Sequence, residues 1–594
     1  MQMDKLLKLY EAFIDWLTGK FSPRQILVVS SILVGLTAGL AAVILKTVVY
    51  YIHHLITHNY HIRYQYFLYL FFPTIGILLS VWFVQKYLKG KLGRGTANIL
   101  HAIAKKSSFL PKDQMYSHII TSALTVGFGG SAGLESPIVI TGSAIGSNFG
   151  KVHHINYKDR TLLLACGAAA GIAAAFNSPI AGVLFALEVI LVDVSISAFI
   201  PLIIAAAAGA LLSKIILQEN TLLFFKLRQT FNYNNVPYYI ILGLLSGFVS
   251  VYYARVYLKI DSFLKPKKKN VYRRALIGGS LLAILILFFP SLFGEGYESI
   301  KTLANSNPEK LFEHSILFDF VSNKWLIIFF ILLTMFFKTI AAAITIGSGG
   351  NGGNFAPSLF VGAYLGFAFA SIINLLGISN LPVSNFTIVA MAGILSGVFH
   401  APLTGIFLIA EVTGGYELMI PLMIVSASSF MISKYFEPYS MDIKRLAKKG
   451  HVFTADKDRN ILTSLKISNL IETDFQIVSP DATLGALVDV VAHAKRNIFP
   501  VVADEMFVGV IVLDNIREIM FKHDMYDKVY VKELMRNPMA TIDPEDSMES
   551  VMKKFDETGA WNLPVLDQGK YIGFISKSSI FVQYRNRLIK TTSV

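Results

Sequence analysis

The stretch Gly127-Phe-Gly-Gly-Ser-Ala-Gly-Leu134-Glu135-Ser136-Pro137 puts one carboxylate in a glycine-rich turn that opens an apolar helix. The chain around it is apolar enough to be mostly membrane. A charge at membrane depth is costly and marks a functional position. A second turn, Thr345-Ile-Gly-Ser-Gly-Gly-Asn-Gly-Gly-Asn354-Phe355-Ala-Pro357, follows at an offset of 220 when the two prolines are aligned. Matched breaks, one per half, point to a transporter site where the halves meet. Helix starts expose unpaired N–H groups and about half a positive charge each, so both breaks favour an anion. Glycine lets the backbone approach a bare ion. A cation pathway would want several intramembrane carboxylates, and these breaks supply one. Ionised, Glu135 occupies an anion position and blocks it; protonated or displaced, it swings out. The result is a gate sensitive to pH and anion concentration. The plainer reading is a helix-cap carboxylate; membrane depth and the duplicated break favour the gate.

The elements that must position these turns are membrane helices. Of the 594 residues, 54% are hydrophobic, and the mean hydropathy is +0.55. Ile26–Ile52, Tyr66–Val84, Tyr238–Tyr257 and Trp325–Ile346 approach or exceed the roughly 20 residues that span a bilayer. Ser136–Phe149 and Phe355–Gly366 read as too short or too broken to span alone, which implies a cavity beside them. Residues 1–22 carry Asp4, Glu11 and Asp15 among helically spaced apolar residues. They read as an amphipathic interfacial helix, not a signal peptide.

The membrane part, 23–440, is internally duplicated, about 23–220 and 235–440. Gly35-Leu-Thr-Ala-Gly39 echoes Gly243-Leu-Leu-Ser-Gly247, and Phe176-Asn-Ser-Pro179 through Glu188 echoes Phe399-His-Ala-Pro402 through Glu411. Lys265, Lys267, Lys268, Lys269, Arg273 and Arg274 crowd one loop, whereas Arg63 is alone in the matching loop of the first half. Opposite sidedness is what an inverted repeat predicts. The positive-inside rule then puts the basic loop and both termini in the cytoplasm of a plasma (inner) membrane protein. This reading absorbs the net charge of +14 without a nucleic-acid partner. Residues 441–460 form a polar linker. The tail, 461–594, repeats at an offset of 64, about 466–523 and 532–590. Each unit is too small for a large core, so the two should pack together.

These blocks resemble the CLC chloride channel/transporter family. Gly133-Leu-Glu135-Ser-Pro137 is similar to its element with the gating glutamate, and Gly353-Asn-Phe355-Ala-Pro357 to its G-x-F-x-P element. Tyr439 resembles the tyrosine whose hydroxyl touches the central anion. The resemblance implies an α-helical polytopic inverted-repeat fold with many short and broken helices, and a homodimer with one pore per subunit. It implies a central chloride on the amides of Asn354 and Phe355 and the Tyr439 hydroxyl. An outer chloride would lie near Leu134–Ser136. Three departures stand out. Gly93-Arg94-Gly95-Thr96-Ala97 replaces the element with an anion-binding serine, leaving Arg94, Thr96 or the backbone to act there. Val189 occupies the place of the internal proton glutamate of coupled members. Leu134 and Ser136 replace a basic residue and a glycine.

Glu188 and Glu411, being repeat partners, read as structural. The tail resembles a tandem CBS pair, an α/β module that often binds adenine nucleotides. Here the ribose-contacting pattern is split: Asp514 survives without the hydroxyl and Ser576 without the acid. No cofactor is required by this reading. His53, His54, His58 and His61 read as solvated loop residues and not a metal site. The one cysteine, Cys166, excludes an intrachain disulfide. The expected function is passive chloride conductance gated by Glu135, on the strength of Val189. The alternative is chloride/proton exchange on the same glutamate. A CBS-regulated cation transporter lacks acidic clusters, and a membrane metalloprotease would need H-E-x-x-H, while no His-Glu dipeptide occurs.

Overall fold

The computed structural model describes residues 22–57, 62–93, 95–153, 155–191, 198–218, 230–264, 270–305, 307–311, 323–447, 462 and 465–592. Arg94, His58, His61, residues 265–269 and nearly all of the amphipathic segment 1–22 lie outside them. Two compact units divide between Gly450 and His451.

The first unit is helical. Its helices are α1 Pro23–Thr57, α2 Ile62–Tyr87, α3 Thr96–Lys105, α4 Gln114–Gly127, α5 Glu135–Val152, α6 Tyr157–Phe176, α7 Pro179–Phe185 and α8 Phe199–Leu217. The second half follows with α9 Val236–Leu264, α10 Val271–Phe288, α11 Tyr297–Ala304, α12 Lys324–Gly347, α13 Phe355–Leu375, α14 Val383–Phe399, α15 Pro402–Val412, α16 Met419–Phe436 and the short α17 Met441–Ala447. Among the described residues, nine helices are long and apolar enough to cross a membrane. One of them is α13. The sequence suggested that this segment was too short, but the helix runs on through Phe367–Leu375, because Gly366 packs tightly on Phe386 without breaking the turn.

Local punctuation repeats between the halves. Helix α6 ends on Asn177 at φ 58 and α14 on His400 at φ 57, both left-handed caps that free the chain to turn. A proline two residues later, Pro179 or Pro402, starts the next helix where its missing N–H costs nothing. Helices α5 and α6 touch backbone to backbone. A methyl on Gly142 would strike the carbonyl of Gly167, and the reverse holds. Small residues at membrane helix contacts permit this approach. The consequence is a densely packed centre in which α5, α6, α13 and α14 hold the breaks still.

The second unit contains one four-stranded sheet in the order β1-β2-β4-β3. Strand β1 Ile498–Ala503 pairs antiparallel with β2 Met506–Val512, and β3 Asn562–Asp567 with β4 Lys570–Ser576. The two repeats exchange edges. Glu472, near the start of the first repeat, bridges Phe574 on β4, and Arg536, near the start of the second, bridges Val510 on β2. Phe475, Val510 and Phe574 form a small apolar core shared by both repeats. Sharing core and edge is how repeats this small bury enough apolar surface.

Candidate functional site: the paired helix breaks

The two glycine-rich breaks are bonded to each other. Gly133 N donates to Gly353 O at 2.9 Å, and Gly353 N to Gly133 O at 2.7 Å. Ser131 N donates to Thr345 Oγ1 at 3.2 Å, and Asn351 N to Thr125 Oγ1 at 3.0 Å. Every one of these partners is matched across the 220-residue offset. Gly129 and Gly349, at φ 91 and 123, turn the chain out of α4 and α12. Helices α5 and α13 therefore begin in the interior, and their first-turn N–H groups have no intrahelical acceptor. They face one space: a Cβ on Gly133 would meet Glu135 Oε2 and Ala356, and one on Gly353 would meet Ser136.

Glu135 is the first residue of α5 and only 3% exposed. Tyr297 donates its hydroxyl to Oε1 at 2.5 Å. Oε2 is buried without a well-formed hydrogen bond, while the amides of Glu135 and Ala356 face the carboxylate. A buried carboxylate oxygen left unpaired is costly. The same position suits a free anion or a proton. Leu134 is buried and Ser136 half-buried on the same turn.

Tyr297 and its neighbours were not foreseen, and here the expectation of one carboxylate is corrected. Glu295 lies just before α11, half-buried, with the Leu134 amide and the charges of Glu135, Lys46 and Lys338 around it. Lys338 is fully buried on α12, donates to Gly294 O at 3.0 Å and lies 4.8 Å from the centre of the Phe360 ring. The signals were there to read: Gly294-Glu295-Gly296-Tyr297 is a glycine-flanked glutamate between apolar runs, and Lys338 interrupts the run Trp325–Ile346. Both deserve the default functional reading of intramembrane charge. Gly296, at φ 94, sets the turn, and any side chain there would strike Phe360.

At the other break, Asn354 precedes α13 and Phe355 opens it, both buried. The Phe355 ring sits among Phe176, Phe185 and Phe399 at 5.6, 6.1 and 5.3 Å between centres. Tyr253 donates its hydroxyl to Asn354 Oδ1 at 3.2 Å. Tyr439 is half-buried between α16 and α17. The Thr96 hydroxyl, expected to face an anion, instead donates to Asp442 Oδ2. Arg94 is not among the described residues.

Val189 packs half-buried in Ala186–Ile190, a π-helical turn that continues α7. Its neighbour Glu188 accepts from Leu403 N at 3.0 Å and from Thr404 N at 2.8 Å, capping α15. Glu411 accepts from Ile180 N at 3.1 Å and from Ala181 N at 2.9 Å, capping α7. Each repeat thus caps the other's helix, as the structural reading of this pair expected.

In the second unit Asp514 is exposed and bonded to Arg517. Ser576 is buried, and its hydroxyl donates to Glu472 Oε1 at 2.5 Å.

Paired broken helices, converging amides and a buried carboxylate between them fit a membrane anion-transport protein. The model of the voltage gated chloride channel family matches residues 76–434, and the CBS domain model matches 531–585. The first match covers more than half the chain, which therefore belongs to that family, the CLC proteins. A ClcB-like protein of Ralstonia nicotianae is 29% identical over 397 residues, 63% of this chain and 85% of its own length. The H(+)/Cl(-) exchange transporter ClcA of Vibrio cholerae is 28% identical over 320 residues, 52% of this chain and 64% of its own length. The crystal structure of a slow cyanobacterial Cl-/H+ antiporter shares the fold with a TM-score of 0.63 at 22% identity, over 72% of this chain and 99% of its own.

Proposed function

We propose that this chain exchanges chloride for protons across the membrane, with Glu135 as the group that alternates between anion position and proton carrier. The observation behind it is the seat of Glu135: interior, at the junction of the paired breaks, one oxygen on Tyr297 and the carboxylate facing the amides of Glu135 and Ala356. Ionised, the carboxylate competes with chloride for those amides; protonated, it no longer does. Each exchange of the two ligands thus moves a proton against an anion. The name of the Vibrio relative favours exchange over the passive conductance that Val189 suggested. Chloride would sit on the amides of Asn354 and Phe355 with Tyr439, and further out on Leu134–Ser136. The protein works as a homodimer with one pathway per subunit in the plasma (inner) membrane, both termini cytoplasmic. The CBS pair acts as a stabilising and regulatory module. Ser576 is bonded to Glu472 and Asp514 to Arg517, so an adenine nucleotide using either residue would have to displace that partner.

The test uses liposomes containing the purified protein and loaded with chloride, with efflux and external pH followed together. Exchange predicts proton uptake driven uphill by the chloride gradient and lost in Glu135→Gln. Chloride efflux without proton movement would restore the channel reading, and cation flux without halide flux would overturn both.

A further inference from the structure

The Thr96 hydroxyl, a candidate anion ligand, is already committed to Asp442. Thr96 is the first residue of α3, whose opening amides lack intrahelical acceptors and carry the positive end of the helix dipole. Gly95 before it has φ 72, and the one atom that a Cβ there would approach is Asp442 Oδ1. Asp442 arrives from α17, far along the chain, and is only 7% exposed. Helix α17 packs on both α3 and α14. The Asp442 charge also faces Tyr253, whose hydroxyl donates to Asn354 at the start of α13. Tyr253 thus feels the Asp442 charge and is bonded to the central break. The nearby bases Arg255 and Lys444 are both bonded to Glu437. The arrangement repeats the logic of Glu135: a buried carboxylate seated at a helix start beside an anion pathway.

We infer that Asp442 is a second tethered anion, occupying the anion position at the start of α3 so that chloride passing that end must displace it. The inference rests on the proposed chloride pathway through the paired breaks. Glu135 guards one approach to the centre and Asp442 the other. The competing role is a mechanical strap that merely holds α17 against α3.

Asparagine at 442 separates the two roles, because its amide oxygen can still accept from Thr96 while the competing charge is gone. Apparent affinity falls with the fraction of sites already occupied, so Asp442→Asn should lower the chloride KM of transport by about threefold or more. Halide binding in detergent, followed by calorimetry, should tighten in parallel. Asp442→Glu keeps the charge and should not show the lowered KM of Asp442→Asn. Thr96→Ala removes the anchor, frees the carboxylate to leave and should lower KM in the same direction; it also serves if Asp442→Asn does not fold. A melting temperature measured on each variant reports the strap. Unchanged KM and halide affinity in folded Asp442→Asn and Thr96→Ala, with only a lower melting temperature, would overturn the inference and leave the transport reading standing. A wild-type protein that moves no halide would instead sink the transport reading itself.

Discussion

Glu135 has one oxygen bonded to Tyr297 and the other without a well-formed hydrogen bond, and the proposed gate turns on that asymmetry. A hydrogen bond to a charged acceptor contributes about 1.5–3 kcal/mol, so removing the Tyr297 donor should weaken the seated, ionised state by roughly that much. Tyr297→Phe is therefore expected to raise chloride flux at neutral pH, where a seated carboxylate limits entry. Flux assays in liposomes at equal protein density check this, and an unchanged rate would show that Tyr297 does not hold the gate. Glu295 offers a second residue-scale test. It faces the Leu134 amide from the half-exposed side. Glu295→Gln should lower the chloride KM while preserving proton coupling, since Glu135 remains. Loss of coupling in that variant would make Glu295 part of the proton route.

Among the elements, the reciprocal caps decide what Glu188 does. Two amides of α15 end on Glu188 and two of α7 on Glu411. Losing a cap costs about 0.5–2 kcal/mol, so Glu188→Ala and Glu411→Ala should lower thermal stability in detergent by similar amounts. Proton coupling should survive in both. Coupling lost only in Glu188→Ala would mean that the residue beside Val189 has taken over the internal proton step. The α5–α6 contact gives a sharper packing prediction. Gly142→Leu has no room against the Gly167 carbonyl and should abolish folding of the membrane unit, read as loss of a monodisperse peak in size-exclusion chromatography.

For the molecule as a whole, the tail carries its own stability ledger. Burial pushes the Asp546 carboxyl up, but the Lys554 ammonium, the Asp543 amide and the Ser550 hydroxyl outweigh burial and hold it below the usual carboxylate value. A depressed carboxylate adds stability above its unfolded pKa, and that stability is lost as pH falls through the folded value. Asp546→Asn should therefore weaken hydrogen-exchange protection around Met548–Thr558 at neutral pH, with the difference from wild type fading below about pH 4. A difference that persists into acid would assign Asp546 a packing role instead.

Much of this plan was legible before any coordinates. Helix breaks announce themselves through glycine and proline, and a duplicated break at a constant offset already says that two helix starts meet. The carboxylate of the first break, the doubled tail and the anion preference follow from the same local grammar. The sequence alone also paired Glu188 with Glu411, because repeats preserve roles. Tertiary structure was needed for everything that depends on distance between remote segments. That Glu295 and Lys338 join Glu135, that Tyr297 holds Oε1, and that Thr96 meets Asp442 could not be read from spacing. Periodicity reports which face of a helix a residue occupies, not what a segment hundreds of residues away brings to it. Phe355–Leu375 shows the same limit: its glycines looked like a stop, yet in the packed interior they serve close contact with α14, and the helix continues.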